Sequence, residues 1–156
     1  MAGWEGRVLM WTDLMLDHMI DNDGLVDGFV RVFACSPADV GVVDAISLST
    51  PALPIVVERR DLGGDFPLGV SVHLDEELQR RVTDPIDEQN TIARLCALWH
   101  CSCLFSDDLV NPYSWLLMNP TGVLEAVTVD PERLDCDDQF VVVRVDRVVR
   151  HVPVAV

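Results

Sequence analysis

The segment that decides the fold is Tyr113-Ser-Trp-Leu-Leu-Met-Asn-Pro-Thr-Gly-Val-Leu-Glu-Ala-Val-Thr-Val129. Its two ends, residues 113–118 and 123–129, carry the aromatic and β-branched side chains that favour strands. Between them, Asn119-Pro-Thr-Gly122 is typical of a tight turn. The segment therefore predicts a β-hairpin. Residues 139–149 read as one further long strand, so the C-terminal part of the chain is expected to form a β-meander.

Upstream of the hairpin, strand-like and helix-like segments are mixed without regular alternation. Strands are predicted over 29–35, 55–58, 69–74 and 101–105. The helical spacing of apolar residues predicts a first helix over about 5–20, carried by Trp4, Val8, Trp11, Met15 and Met19. Three further helices are expected to begin near Ser36-Pro37, Asp75-Glu76 and Asp84-Pro85, which resemble capped helix starts.

These elements together favour an α+β fold. We expect a single domain, 1–156, with one mostly antiparallel sheet of about five to seven strands and helices packed on one face. The length suits one hydrophobic core. No internal repeat or flexible linker divides the sequence.

The charge balance is the strongest indication of what the chain contacts. It has 26 acidic residues against 11 arginines and no lysine, for a net charge of -15, and the acids are dispersed among apolar residues. A surface this negative repels nucleic acid and anionic lipid, so we expect neither as a direct partner. It attracts basic proteins. Ordinary solubility is the competing explanation of the charge, because solubility also requires a net charge away from zero.

Several chemistries are excluded or made improbable by composition. Without lysine there is no Schiff base and no P-loop. The beginning of the sequence lacks a basic region followed by an apolar stretch, and no run of residues is long and apolar enough to span a membrane. The five cysteines form no disulfide pattern. The sequence therefore indicates a reduced, cytoplasmic, bacterial protein, and no cofactor is expected.

The cysteines and histidines offer one weak metal-binding pattern. Zinc ligands of the right type occur at Cys96, His100, Cys101 and Cys103. Their spacing lacks the CxxC arrangement of small zinc domains, and buried cysteine commonly acts as a small hydrophobic residue. We therefore expect core cysteines and no metal.

The most informative loop for function runs from Phe105 to Trp115. It presents adjacent carboxylates, a turn and two aromatic side chains, a combination suited to contacting arginine or lysine of a partner. A second acidic stretch, residues 135–138, precedes the last strand and reads as a solvated loop. The candidate partner-binding residues are Asp107, Asp108, Asn111, Tyr113, Trp115, Asp137 and Asp138.

The function that these features favour is neutralisation of a basic protein, most concretely by an immunity-type inhibitor of a bacterial toxin or nuclease. Two other classes stay open. One is a small enzyme whose histidine, cysteine and aspartate side chains are dispersed in sequence. The other is an adaptor or secretion-chaperone-like subunit. The sequence does not indicate an oligomeric state.

Overall fold

The computed structural model describes residues 8–154, which form eight strands and four α-helices. The strands are β1 (Val8–Leu16), β2 (Val40–Val43), β3 (Ile55–Asp61), β4 (Leu68–Asp75), β5 (Cys103–Ser106), β6 (Ser114–Met118), β7 (Val123–Val129) and β8 (Val142–His151). The helices are α1 (Asn22–Phe33), α2 (Glu76–Arg80), α3 (Pro85–Trp99) and α4 (Pro131–Asp137), with a 3-10 turn over Pro37–Asp39.

All eight strands belong to one sheet in the order β2-β3-β4-β1-β5-β6-β7-β8. Every neighbouring pair is antiparallel except β2 and β3, which are parallel. The predicted α+β class, the mostly antiparallel sheet and the C-terminal meander are confirmed. The strand count is higher than the predicted five to seven because β1 and β2 lie in segments that were read as helical.

The first predicted helix is wrong over the residues that the structure describes, since residues 8–16 form β1; positions 5–7 lie outside the described part. This strand lies between β4 and β5; its end, Leu14 to Leu16, is buried, whereas Leu9 and Met10 are exposed. Leu14 and Leu16 pack in the helix-covered core, and Met15 packs on the opposite side. Because the consecutive residues 14–16 are all buried, this end of β1 does not alternate polar and apolar residues, and the apolar spacing of the segment matches that of a helix by coincidence.

The predicted strand over 29–35 is also wrong, because most of it is the second half of α1. Asp21 caps this helix, its carboxylate accepting a hydrogen bond from the Gly24 amide at 2.8 Å. Leu25, Phe29 and Phe33 recur every four residues and are buried against the sheet. The acidic segment at 21–24 therefore forms the start of a helix.

The core has two parts, one on each face of the sheet. The larger part lies under α1, α2 and α3, as predicted for helices on one face, and includes the α3 residues Ile92, Leu95 and Cys96. The smaller part lies on the opposite face around Phe66 and Val127, and Leu134 of α4 contacts it. Trp115 also belongs to this smaller cluster. No helix among residues 8–154 is both long and apolar enough to cross a membrane.

The acidic stretch 135–138 is mostly helical, which corrects its interpretation as a solvated loop. Asp130 caps α4 by accepting from the amides of Glu132 and Arg133. Pro131 occupies the first helical position, where its missing N–H costs nothing. Asp138 ends the helix in the left-handed region, at φ 57°.

The last strand, β8, has an unusual pairing with β7. Ten residues of β8 face seven of β7, with three register shifts between them. The sequence of β8 contains three triplets, Val-Val-Arg, Val-Asp-Arg and Val-Val-Arg, over residues 142–150. The first valine of the three triplets is paired with Val129, Val127 and Glu125 of β7, in that order. The arginine of the three triplets is paired with Thr128, Ala126 and Leu124, whose side chains lie on the other face of the sheet. The middle residue of each triplet is the extra one, as in a β-bulge.

Candidate functional site

The sheet separates between β1 and β5, and this separation creates a cleft. The two strands pair only at Met15–Leu104 and Leu16–Cys103. β1 continues in the other direction along β4 as far as Val8, while the chain leaves β5 at Ser106. Among the residues that the structure describes, no strand therefore pairs with the first half of β1 on its β5 side.

The space left by this separation, which we name the acidic cleft, has a volume of about 180 Å³. A neighbouring groove of about 210 Å³ shares Asp13 and Trp115 with it. The acidic cleft is lined by Trp11, Thr12, Asp13, Glu88, Ser106, Asp108 and Trp115. The neighbouring groove is lined by Asp13, Met15, Arg60, Leu62, Trp115, Asp138 and Phe140.

Asp13 and Trp115 form the boundary between the two spaces. The Asp13 carboxylate accepts a hydrogen bond from the Ser71 hydroxyl, and a guanidinium nitrogen of Arg60 lies 3.8 Å from it. The Trp115 indole N–H donates to the Pro112 carbonyl at 2.9 Å. Its ring meets Phe140 edge-on, with ring centres 5.1 Å apart. Both side chains are therefore held in place from outside the cleft.

Glu88 of α3 is a half-buried carboxylate in the acidic cleft. It accepts a hydrogen bond from the Trp11 indole N–H at 3.1 Å. Burial raises the pKa of the Glu88 carboxyl above its ordinary value of 4.5; the hydrogen bond from Trp11 opposes this, and the negative charge of Asp108 adds to it. A positive charge placed next to Glu88 would therefore stabilise the ionised form of its carboxyl group.

The raised pKa of Glu88 leads to a stability prediction. Because the native pKa lies above the unfolded one, the native state binds the proton more tightly, and ionising Glu88 costs stability as the pH rises. We expect Glu88→Gln to raise the free energy of unfolding at neutral pH and to have less effect below pH 4.5. Urea denaturation at both pH values measures this. The exposed Asp44→Asn variant is the control, and destabilisation by Glu88→Gln at neutral pH would contradict the prediction.

Among the predicted partner-binding residues, three line these spaces. Asp108 lies in the acidic cleft, Asp138 lies in the neighbouring groove, and Trp115 contributes to both. Asp108 and Asp138 come from the two separate acidic stretches, and each lines a space that Trp115 also lines.

The other predicted residues instead hold local structure. The Asp107 carboxylate accepts from the Leu109 amide at 3.0 Å and from the Ser114 hydroxyl. The Asn111 side chain accepts from the Tyr113 amide at 3.0 Å. The Tyr113 hydroxyl donates to Asp135 of α4 at 2.6 Å. In α4, Asp137 forms an ion pair with Arg133 at 3.1 Å.

Five cleft residues were not singled out as site residues from the sequence: Trp11, Thr12, Asp13, Glu88 and Ser106. Trp11 and Asp13 fell in the segment predicted as a helix, and Glu88 lies 77 positions from its partner Trp11. No local motif links such distant positions. The only signal that the sequence offered was the polar or aromatic character of each residue.

The cysteine cluster is part of the core. Cys96, Cys101 and Cys103 are buried, whereas His100 is exposed and ends α3 with φ 52°. The pKa of Cys101 is raised by its hydrogen bond with Cys96 and then by burial, so this thiol stays protonated. Within residues 8–154, no group of three or more histidine, cysteine or acidic side chains is arranged to hold a metal ion.

Comparison of the chain with protein families, curated proteins and solved structures found no match. The function is therefore argued from the geometry and charge of the site.

Proposed function

We propose that this protein is a binding protein that neutralises a basic protein, with the acidic cleft receiving an arginine or lysine side chain of that partner. The observation that carries the proposal is the convergence of Asp13, Glu88 and Asp108 on a cleft walled by Trp11 and Trp115. Carboxylates bind guanidinium and ammonium groups through charge-assisted hydrogen bonds. Indole faces add a favourable interaction with the same cations.

The charge of the whole chain supports the same class of partner. A net charge of -15 accelerates the approach of a basic protein and slows that of nucleic acid or an anionic membrane. Fast capture suits an inhibitor that must act before its target does damage. The most concrete form of the proposal is therefore an immunity-type inhibitor of a bacterial toxin or nuclease, acting in the cytoplasm.

The cleft can be tested with a synthetic peptide in which arginine alternates with serine. We expect calorimetric titration to show saturable binding that weakens with salt. Asp108→Asn should lower the affinity roughly two- to fivefold, as expected for one partly exposed charge pair. Asp44→Asn, which removes one exposed charge near the far edge of the sheet, is the matched control. Equal losses in both variants would assign the binding to overall charge and contradict a cleft site.

The identity of the partner requires a separate experiment. The purified protein would be immobilised and exposed to extract from its source organism, then eluted with increasing salt. We expect one basic protein in stoichiometric amount, released only at high salt, whose toxic or nuclease activity is blocked on rebinding. Recovery of no specific basic protein would contradict the inhibitor proposal.

A further inference from the structure

The loop between β5 and β6 exposes two aliphatic side chains beside the acidic cleft. Leu109 is 68% exposed and Val110 is fully exposed. They follow Asp108 directly, and Asp108 lines the cleft. We name Leu109 and Val110 the aliphatic tip. Scattered exposed aliphatic residues are normal, so the argument depends on where these two lie and how they are held.

The aliphatic tip is carried on a loop that is tied down on both sides. Before it, the Ser106 hydroxyl accepts from the Asp108 amide at 3.0 Å, and Asp107 accepts from the Leu109 amide. After it, the Ser114 amide donates to the Asn111 carbonyl at 3.2 Å. The bonds from Tyr113 to Asp135 and from Trp115 to Pro112 attach the loop to α4 and β6. The loop therefore presents its aliphatic residues in one arrangement, which lowers the entropy cost of using them for binding.

A third exposed apolar residue lies next to a cleft residue in the sequence of β1. Met10 is 43% exposed and precedes Trp11, whose indole lines the cleft. Exposed apolar side chains therefore adjoin cleft residues in the chain both on β1, next to Trp11, and on the loop, next to Asp108. A purely polar cationic surface would satisfy the carboxylates and leave these apolar side chains in water.

We infer that the acidic cleft and the aliphatic tip form one binding surface for a cationic amphipathic segment, in which aliphatic residues adjoin arginines or lysines. This inference rests on the proposed function and specifies its partner. The charge complementarity of the cleft selects the cationic residues, and the tip supplies the apolar anchor that interfaces commonly need. The acids around the tip disfavour its insertion into an anionic membrane.

The test uses two peptides of equal length and charge, one with arginine alternating with leucine and one with arginine alternating with serine. We expect the wild-type protein to bind the leucine peptide more tightly. The double variant Leu109→Ser/Val110→Ser should lose roughly tenfold in affinity for the leucine peptide and keep its affinity for the serine peptide. Leu48→Ser, which removes an 81% exposed leucine between β2 and β3, is the matched control and should change neither affinity.

The outcomes separate the two proposals. If the serine peptide does not bind at the cleft, the proposed function itself fails. If it binds but the double variant retains its affinity for the leucine peptide, only the amphipathic-segment inference is overturned. The inference would also be overturned if Leu48→Ser lost as much affinity for the leucine peptide as the double variant does. Preferential binding of the tip to phosphatidylcholine vesicles over the leucine peptide would overturn it as well. Thermal melting of all variants checks folding, and unchanged midpoints are expected because the altered residues are exposed.

Discussion

Replacement of Phe29 by alanine is expected to lower the free energy of unfolding by about 4 kcal/mol. Phe29 is fully buried at the centre of α1. Its ring stacks near Phe33, with centres 6.4 Å apart, and meets Trp99 of α3 edge-on at 5.4 Å. Truncation would remove the side chain that joins the two longest helices and would leave a cavity between them. Urea denaturation monitored by circular dichroism measures the loss.

A matched control is available on the opposite face of the sheet. Phe140 is only partly buried and packs against Trp115. Phe140→Ala should therefore cost less than Phe29→Ala, since truncation at a partly exposed site removes less buried area. If Phe29→Ala cost no more than Phe140→Ala, the packing of α1 against α3 described above would be wrong.

The second large effect is expected at Gly122, in the turn between β6 and β7. Its φ of +92° is a conformation that side-chain-bearing residues rarely adopt. A Cβ atom there would lie 2.2 Å from the backbone oxygen of Val152, and the Val152 amide donates to the Gly122 carbonyl at 2.7 Å. Gly122→Ala must therefore strain the turn or displace the segment after β8, at a cost of about 3 kcal/mol.

This cost in the free energy of unfolding is measured by chemical denaturation of Gly122→Ala, with Gly41→Ala as the comparison. At Gly41 an added Cβ would meet only the end of the Leu53 side chain, at 2.9 Å, which can move. We expect Gly41→Ala to change the free energy of unfolding by less than about 1 kcal/mol. If the two variants lost similar amounts of stability, the turn conformation of Gly122 would not be the cause of the loss in Gly122→Ala.

The fold was predictable where local chemistry acts alone. The hairpin turn at 119–122, the capped starts of α2 and α3 and the strands at 55–58 and 69–74 are each specified by neighbouring residues, and the structure confirms them. Residues 8–16 and 29–33 were misread because tertiary packing, rather than the local pattern, decides whether they form a strand or a helix. The consecutively buried residues 14–16 of β1 carry no alternation, and Phe29 to Phe33 alternates although α1 is a helix.

The candidate site was predictable only in part, for a related reason. The loop carrying Asp108 and Trp115 was recognisable as acidic and aromatic. Its counterpart residues Asp13 and Glu88 come from β1 and α3, and their proximity depends on the separation of β1 from β5. Spatial convergence of this kind follows from strand order, which one sequence does not specify. The loop's own hydrogen bonds also decide that Asp107 and Tyr113 hold structure while Asp108 faces the cleft.

The triplets of β8 have a consequence for sheet growth. An edge strand with regularly spaced free amides and carbonyls is a template on which further chains can add and aggregate. Because β8 carries an extra residue in each triplet, its outward backbone groups do not follow the two-residue repeat of an ordinary strand. An incoming extended chain would lose its hydrogen-bonding register within a few residues. Among residues 8–154, the sheet ends at β8, and no further strand pairs with its outer edge.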